Sequence, residues 1–500
     1  MLDLDDVLNA DFQLPPYPHQ LREFETGADE PYRALLWQMR SGKTKQVIDN
    51  VCHWRVKHGL DAAIIFAPNG VHRNWLEREL PTHHWELPYH AIPWDTHVAG
   101  KVRERKDEEI DEHEQFWAYV KERLRDPTFT WWAFSSETIT RKECRQLLAR
   151  IVRWKKRIAL LVDESDDYGR AGSKKTMMAR ALANKCVFRR ILTGTVIENS
   201  PLRAFSQFEI VHPKALGFQR FDSFEHHYAL YENRTTRGGR KYPALVSYQN
   251  MDELRDHLAK WSSVVLRDDI NLPPIIQRDR KFTLTDEQKK AYREVKAGIE
   301  IEVAEGTIEL NELAAKLIKL QQVTSSYIVD KWQDKHRIAG GNPRLDATMD
   351  EIELAGGRCV VWCAFRPEMD AVVKACKRKG LDVLTYHGGT SDSEKKKVRE
   401  VMAPESTIDQ MVVVGHEKSG GRGLNFSRAR AIINHSHVMD AVIRSQSVER
   451  ATEMGGDAID VVNVRAPGID DYVLDEILSP KVALADQVAR TGLRAVLNRI

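Results

Sequence analysis

RALLWQMRSGKTKQVIDNVCHW, residues Arg33–Trp54, places an apolar strand, a short polar loop and a helix-compatible run in immediate succession. That order is what a phosphate loop requires. Backbone N–H groups gathered at a helix N-terminus face an anion, and the helix dipole assists them. In such a loop Lys43 reaches the outer phosphates of a bound polyphosphate and the Thr44 hydroxyl binds Mg²⁺. The full pattern G-x-x-x-x-G-K-[ST] is not met, because Trp37 holds the first glycine position. Taken alone, GKT leaves both a phosphate site and an ordinary strand–turn–helix open.

Outward from this segment, short apolar runs recur, each followed by a turn and a helix-like stretch. The first half offers Arg33–Trp37, Ala62–Ala67, Ile158–Val162 and Val187–Leu192; the second offers Cys359–Phe365, Asp382–Tyr386, Met411–Val414, Ala431–Asn434 and Ile459–Val464. Strands alternating with helices predict parallel sheets covered on both faces. The expected fold class is therefore α/β, with two tandem parallel-sheet lobes and helical insertions. NLPP, Asn271–Pro274, is the expected linker, since paired prolines stop helices. It divides an N-terminal lobe, 1–270, with a helical insertion at about 201–265, from a C-terminal lobe, 271–500, with a helical protrusion at about 284–330. In that protrusion Leu313, Leu317 and Leu320 recur at helical spacing.

Five hundred residues exceed what one hydrophobic core supports, in agreement with two lobes. The composition, 42% hydrophobic and 30% charged, is that of a soluble globular protein. No apolar run approaches the roughly 20 residues that cross a bilayer. The acidic start, MLDLDDVLNADF, argues against a secretory or organellar leader. Six cysteines without C-x-x-C pairs suggest a reducing cytoplasm, with Cys359 and Cys363 packed in a buried strand. The net charge of +2 does not point to nucleic acid, so a phosphate-binding groove has to be a local patch. Two charged tracts stand out. Lys101–Glu114 reads as a solvated helix or insertion, whereas ENRTTRGGRK, Glu232–Lys241, joins four basic residues to two glycines. The second tract is either a flexible surface loop or a loop that touches nucleic acid.

Further segments carry chemistry. LLVDES, Leu160–Ser165, ends an apolar strand in two carboxylates, and its distance from the loop allows it to finish a neighbouring strand. There Asp163 can hold Mg²⁺ and Glu164 can orient and deprotonate a water; an acidic turn is the plain alternative. RILTGTVIENS, Arg190–Ser200, ends a strand in small hydroxylated residues able to bond to that acidic end. KSGGRGLNFS, Lys418–Ser427, is a glycine-rich loop suited to close approach of a phosphate chain. QSVER sets Gln446 and Arg450 one helical turn apart, either as a solvated pair or as a finger directed at a phosphate.

Together these pieces resemble superfamily 2 helicases, and more narrowly the Swi/Snf-like branch of double-stranded DNA translocases, from about Tyr17 to Ile477. PYPHQ (Pro16–Gln20) looks like the adenine-reading motif and LLWQMRSGKT (Leu35–Thr44) like motif I. APNGVHRNWLEREL (Ala67–Leu80) is similar to motif Ia, FSSETI (Phe134–Ile139) to motif Ib and DESD (Asp163–Asp166) to motif II. LTGTVIENSPLRAFSQFEIVHP (Leu192–Pro213) is very close to motif III and the stretch that follows it. VVWCAFRPEMD (Val360–Asp370) resembles motif IV, YHGGTS (Tyr386–Ser391) the next signature, GGRGLNF (Gly420–Phe426) motif V and QSVERATEMG (Gln446–Gly455) motif VI.

The resemblance implies two RecA-like lobes, ATP and Mg²⁺ as cofactors, and DNA-dependent ATP hydrolysis that drives movement along duplex or branched DNA. It implies an ATP site made by Gln20, Arg40, Ser41, Gly42, Lys43, Thr44, Gly421 and Gly423, and a catalytic set of Lys43, Asp163, Glu164, Gln446 and Arg450. By the same likeness Asn69, Arg73, Asn74, Ser135, Thr195, Arg366, Gly388, Lys418 and Asn425 face nucleic acid, mainly its backbone. A cytoplasmic monomer of bacterial or phage type, working beside replication or recombination proteins, is the expected setting. A strand-separating DNA or RNA helicase and a hydrolysis-weakened nucleotide-binding scaffold are the alternatives. Two departures bear on these. Trp37 and Arg40 replace small or acidic residues before the loop lysine, and Glu453 stands where the family has a second motif VI arginine. Arg444 substitutes for it, or the helix is shifted, or the motor is slow.

Overall fold

The computed structural model describes residues 11–94, 107–194, 200–235, 241–305, 310–330, 332, 334–403, 406–420 and 425–478. The chain divides into two compact units, Met1–Ile270 and Asn271–Ile500.

In the first unit the strands are β1 (Tyr32–Trp37), β2 (Ala62–Ala67), β3 (His90–Pro93), β4 (Thr130–Ser135), β5 (Ile158–Asp163) and β6 (Phe188–Thr193). A hairpin, β7 (Ala229–Thr235) and β8 (Lys241–Tyr248), precedes β9 (Ser262–Val265). Seven of these form one sheet in the order β3-β4-β2-β5-β6-β1-β9. All its pairings are parallel. Its central runs are buried on both faces, as AAIIFA in β2 and TWWAFS in β4 show at every position. Continuous apolar runs of this kind belong to parallel sheets with helices on each side. The core joins Ile64, Phe66, Trp132, Phe134, Leu160 and Val162 to Phe205 and Phe208 of the Arg203–Val211 helix.

The second unit holds β10 (Ile275–Lys281), a small antiparallel pair β11 (Tyr327–Val329) and β12 (Lys335–Arg337), then β13 (Arg358–Cys363), β14 (Val383–Tyr386), β15 (Met411–His416), β16 (Ala431–Asn434) and β17 (Ile459–Arg465). Six form a parallel sheet ordered β10-β17-β16-β13-β15-β14. Alternation along its strands makes two cores. Cys359, Val361, Cys363, Val412, Val414 and Val462 fill one face, and Val360, Trp362, Val413, Ile432 and Val461 the other. Leu313, Leu317 and Leu320 are buried in a third cluster with Ile469 and Tyr472.

The α/β class with two parallel-sheet lobes is thus borne out. Eight strands were absent from the expectation: β3, β4 and β7 to β12. β3 and β9 are only four residues each, too short for a pattern to register. The stretch after Pro201 was expected to be helical, yet it contains the β7–β8 hairpin and the β9 edge strand. No helix among the described residues is long and apolar enough to cross a membrane.

Candidate functional site

β1, β6 and β5 end level with one another. Leu36 is in register with Thr193, and Asp163 with Leu192. The loop after β1 and the carboxylates after β5 therefore share one edge of the sheet, the carboxyl edge where open α/β sheets bind ligands. The two strands are not adjacent as the spacing suggested; β6, the strand that ends in Thr193-Gly194, lies between them. A Cβ at Gly194 would sit 3.5 Å from the Trp37 carbonyl oxygen, so this turn packs against the phosphate loop itself.

Gly42 begins the Lys43–His58 helix in a left-handed conformation (φ 76°), and Arg40 is also left-handed (φ 64°). The loop thus turns sharply before the helix starts, which aims backbone N–H groups outward at its N-terminus. Lys43 Nζ donates to the carbonyl oxygens of Trp37 at 2.7 Å and Gln38 at 3.1 Å. Ser41 is fully buried, and its hydroxyl has no hydrogen-bond partner among the described residues. A phosphate oxygen is the kind of group that would satisfy it, so the loop fits an anion. Trp37 is accommodated because its indole turns away from the loop. It donates to Ser263 Oγ on β9 at 2.9 Å and meets the His19 ring edge-on.

The PYPHQ segment is bolted to the loop from below. His19 Nε2 lies 2.7 Å from the Ser41 carbonyl, and Gln20 Nε2 donates to the Gly42 carbonyl at 3.0 Å. The Gln20 side-chain oxygen, Oε1, accepts from the Tyr17 N–H at 2.8 Å, so both ends of this buried amide are held within the protein. The Pro18–Gly27 helix that carries it is tied down at its C-terminus, where buried Arg190 of β6 donates to the Gly27 carbonyl at 2.9 Å.

Asp163 accepts from Trp75 Nε1 at 3.0 Å and from the Glu164 N–H at 3.0 Å. Burial, and then the charge of Glu164, push its carboxyl up to about 6, against the pull of Lys43. A carboxylate so placed gains from a cation, which is the donor chemistry Mg²⁺ requires. Glu164 itself is left-handed (φ 49°), a strained backbone for a residue with a side chain. Trp75 lies in a short π-helical turn, Trp75–Glu79. Sequence reasoning gave it no role. Such turns are recurrent at functional sites, but no one-residue signal announces them.

The candidate nucleic-acid residues of this unit cluster beside the same edge. Asn69 is exposed just after β2, whose Ala67 is in register with Ser135 at the end of β4. Ser135 is buried and donates to Glu137 at 3.2 Å, and Asn74 donates to Glu79 at 3.1 Å. Arg73 is half-buried in the Val71–Asn74 turn. Thr195 lies outside the described residues, as do Gly421 and Gly423.

In the second unit Arg366 opens the helix after β13, and its guanidinium lies 3.1 Å from His387 Nδ1, next to exposed Gly388. Motif IV and the YHGGTS segment therefore meet. Lys418 is exposed in the Glu417–Gly420 turn after β15, and Asn425 Oδ1 accepts from the Ser427 N–H at 2.9 Å. Gln446 is buried in the Ala441–Glu449 helix, and half-buried Arg450 is its C-cap. The helix ends there, so Glu453 falls in the irregular segment beyond it and does not continue its face. Arg444, the candidate substitute for the missing arginine, lies 3.3 Å from Glu417 and 3.2 Å from His437, while Ser447 also donates to Glu417 at 2.6 Å. These contacts bind the motif VI helix to the turn that precedes motif V.

No family model matches the chain. It is 23% identical over 306 residues to an uncharacterized ATP-dependent helicase of Mycoplasma genitalium, covering 59% of this chain and 27% of that one. It is 24% identical over 322 residues to a TATA-binding protein-associated factor of Saccharomyces cerevisiae, covering 53% of this chain and 17% of that one.

This chain is similar to ATP-dependent helicases. The resemblance to helicases read from the motifs is borne out in these relatives. The chain spans at most 27% of the length of the curated relatives it matches. Two solved structures of the Sulfolobus solfataricus SWI2/SNF2 ATPase core, one in complex with double-stranded DNA, align along 97% and 96% of the chain and 95% and 96% of theirs. Their identities are 16% and 18%, each with a TM-score of 0.38.

Proposed function

We propose that the protein is a DNA-dependent ATPase that moves along duplex or branched DNA. The observation that carries this reading is the shared edge at β1, β6 and β5, where a lysine-bearing phosphate loop and a half-buried carboxylate pushed up to about 6 lie within electrostatic reach of each other. A lysine for phosphate and an acid for a cation are the two halves of a nucleoside triphosphate site.

Bound ATP supplies the bond to be broken, and Mg²⁺ neutralises charge as it breaks. Lys43 exchanges the Trp37 and Gln38 carbonyls for phosphate oxygens, while Arg40, Ser41 and Gly42 line the loop. Thr44 and Asp163 would hold Mg²⁺. Glu164 orients the attacking water and takes its proton, its strained backbone fixing the carboxylate beside Asp163. Gln20 keeps a second amide N–H and a second lone pair for adenine while it holds the Gly42 carbonyl, which couples base recognition to loop shape. In the second unit Gln446 and Arg450, with Gly421 and Gly423, serve ATP hydrolysis, Arg450 by neutralising charge on the group in transfer.

Asn69, Arg73, Asn74, Ser135 and Thr195 on the first unit, and Arg366, Gly388, Lys418 and Asn425 on the second, track the DNA backbone. Backbone contacts carry little sequence preference and weaken with salt. The test is ATP turnover with no nucleic acid, single-stranded DNA, duplex, forked DNA and RNA. Stimulation by duplex or forked DNA is expected; stimulation by RNA alone, or by nothing, overturns the proposal.

A further inference from the structure

The β7–β8 hairpin is exposed along nearly its whole length on both faces. An isolated two-stranded ribbon is marginal in water, so side chains that persist on both of its faces call for an explanation. The ENRTTRGGRK tract is not simply a loop, since Glu232–Thr235 and Lys241 belong to the two arms.

Register sorts the side chains. Beyond a bulge between Leu230 and Tyr231, Arg234 pairs with Tyr242, Thr235 with Lys241 and Tyr231 with Leu245. Because neighbours along a strand point to opposite faces, Arg234 and Tyr242 share one face, and Tyr231, Lys241 and Leu245 the other. Each face thus carries one cation and one aromatic ring. Tyr231, Tyr242 and Leu245 are 40%, 44% and 38% exposed. Among the described residues neither Arg234 nor Lys241 makes an ion pair, while the Tyr231 hydroxyl is fixed by Glu225 at 2.7 Å. From Ala229 to Tyr248 the sequence has four basic residues against one acidic.

We infer that this ribbon enters a groove of duplex DNA, its two faces meeting the two phosphate walls. The major groove, about 12 Å wide, admits a two-stranded ribbon, and an element contacted on both sides needs the two-sided pattern seen here. A protein strand adding to the ribbon's edge is disfavoured. Pro243 removes a donor from β8 and the bulge breaks β7, the devices that keep edges from pairing. This inference rests on the DNA-motor reading and adds a contact that no helicase motif supplies.

The test is duplex binding across a salt series by the full chain, its Arg234→Ala/Lys241→Ala variant and its Tyr231→Ala/Tyr242→Ala variant, with thermal unfolding as the check on folding. Losing two phosphate contacts flattens the slope of log K against log salt by about 1.8 and weakens binding roughly tenfold or more at 0.1 M salt. The aromatic variant is expected to weaken duplex binding while leaving that slope unchanged. Parent-like affinity and slope in the charge variant would leave the ribbon to a protein partner and overturn the inference, with the motor reading intact. An equal loss on single strands overturns groove entry. A parent protein that neither binds duplex nor hydrolyses ATP faster with it overturns both.

Discussion

The Gln20 side-chain nitrogen lies 3.0 Å from the Gly42 carbonyl oxygen, which makes the PYPHQ segment a floor for the phosphate loop. A Cβ at Gly42 would come within 2.3 Å of that nitrogen, at a backbone angle that disfavours any side chain. Gly42→Ala is expected to cost roughly 2 kcal/mol, from about 1–2 kcal/mol of left-handed strain plus displacement of Gln20. Gln20→Ala strands buried groups at about 1–3 kcal/mol. The double variant relieves the clash and loses less than the sum, a coupling that denaturant midpoints will measure.

Glu164 is strained and chemically placed, and the two properties separate by substitution. Glu164→Gln is expected to lower kcat by about 10²–10⁴ with ATP affinity retained, as for loss of a general base. Glu164→Gly should be as inactive, yet no less stable than the parent, because glycine adopts φ 49° without penalty. Turnover and thermal melts on both variants distinguish chemistry from fold.

How much of this was readable depends on range. The strand–loop–helix of Arg33–Trp54 and the acidic end of β5 are local patterns, and both stand as read. What Trp37 does instead of glycine depends on Ser263, far along the chain, and the Trp75–Asp163 bond joins segments with no sequence cue between them. Arg444 shows the limit most clearly. As a sequence it is a spare arginine six residues before Arg450; its pairing with Glu417 emerges only when the turn after β15 and the motif VI helix pack.

That contrast predicts divergent phenotypes. Arg450→Ala is expected to lower kcat about 10³-fold or more with little change in stability. Arg444→Met leaves Glu417 buried beside a single hydroxyl and should cost roughly 3–5 kcal/mol, much of it recovered in Arg444→Met/Glu417→Gln. Parallel unfolding and turnover assays check both.

A pH signature follows from Asp29. Burial alone would raise its carboxyl, but hydrogen bonds from His53, Lys57 and His58 outweigh it and hold the group well below the usual carboxylate range. A depressed folded value means stabilisation that is present above the unfolded pKa of about 3.9 and lost as pH falls through the folded one. Asp29→Asn should therefore melt below the parent at neutral pH, and the gap should close under acid below about pH 4.

The central claim is that Lys43 and Asp163 serve one triphosphate. It is tested most directly by duplex-stimulated ATP turnover of Lys43→Ala, Asp163→Asn and the Lys43→Ala/Asp163→Asn pair. Residues acting as a unit are non-additive, so each single change should abolish stimulated turnover and the pair should be no worse than either. Turnover at the parent's rate in Lys43→Ala or Asp163→Asn would contradict this claim.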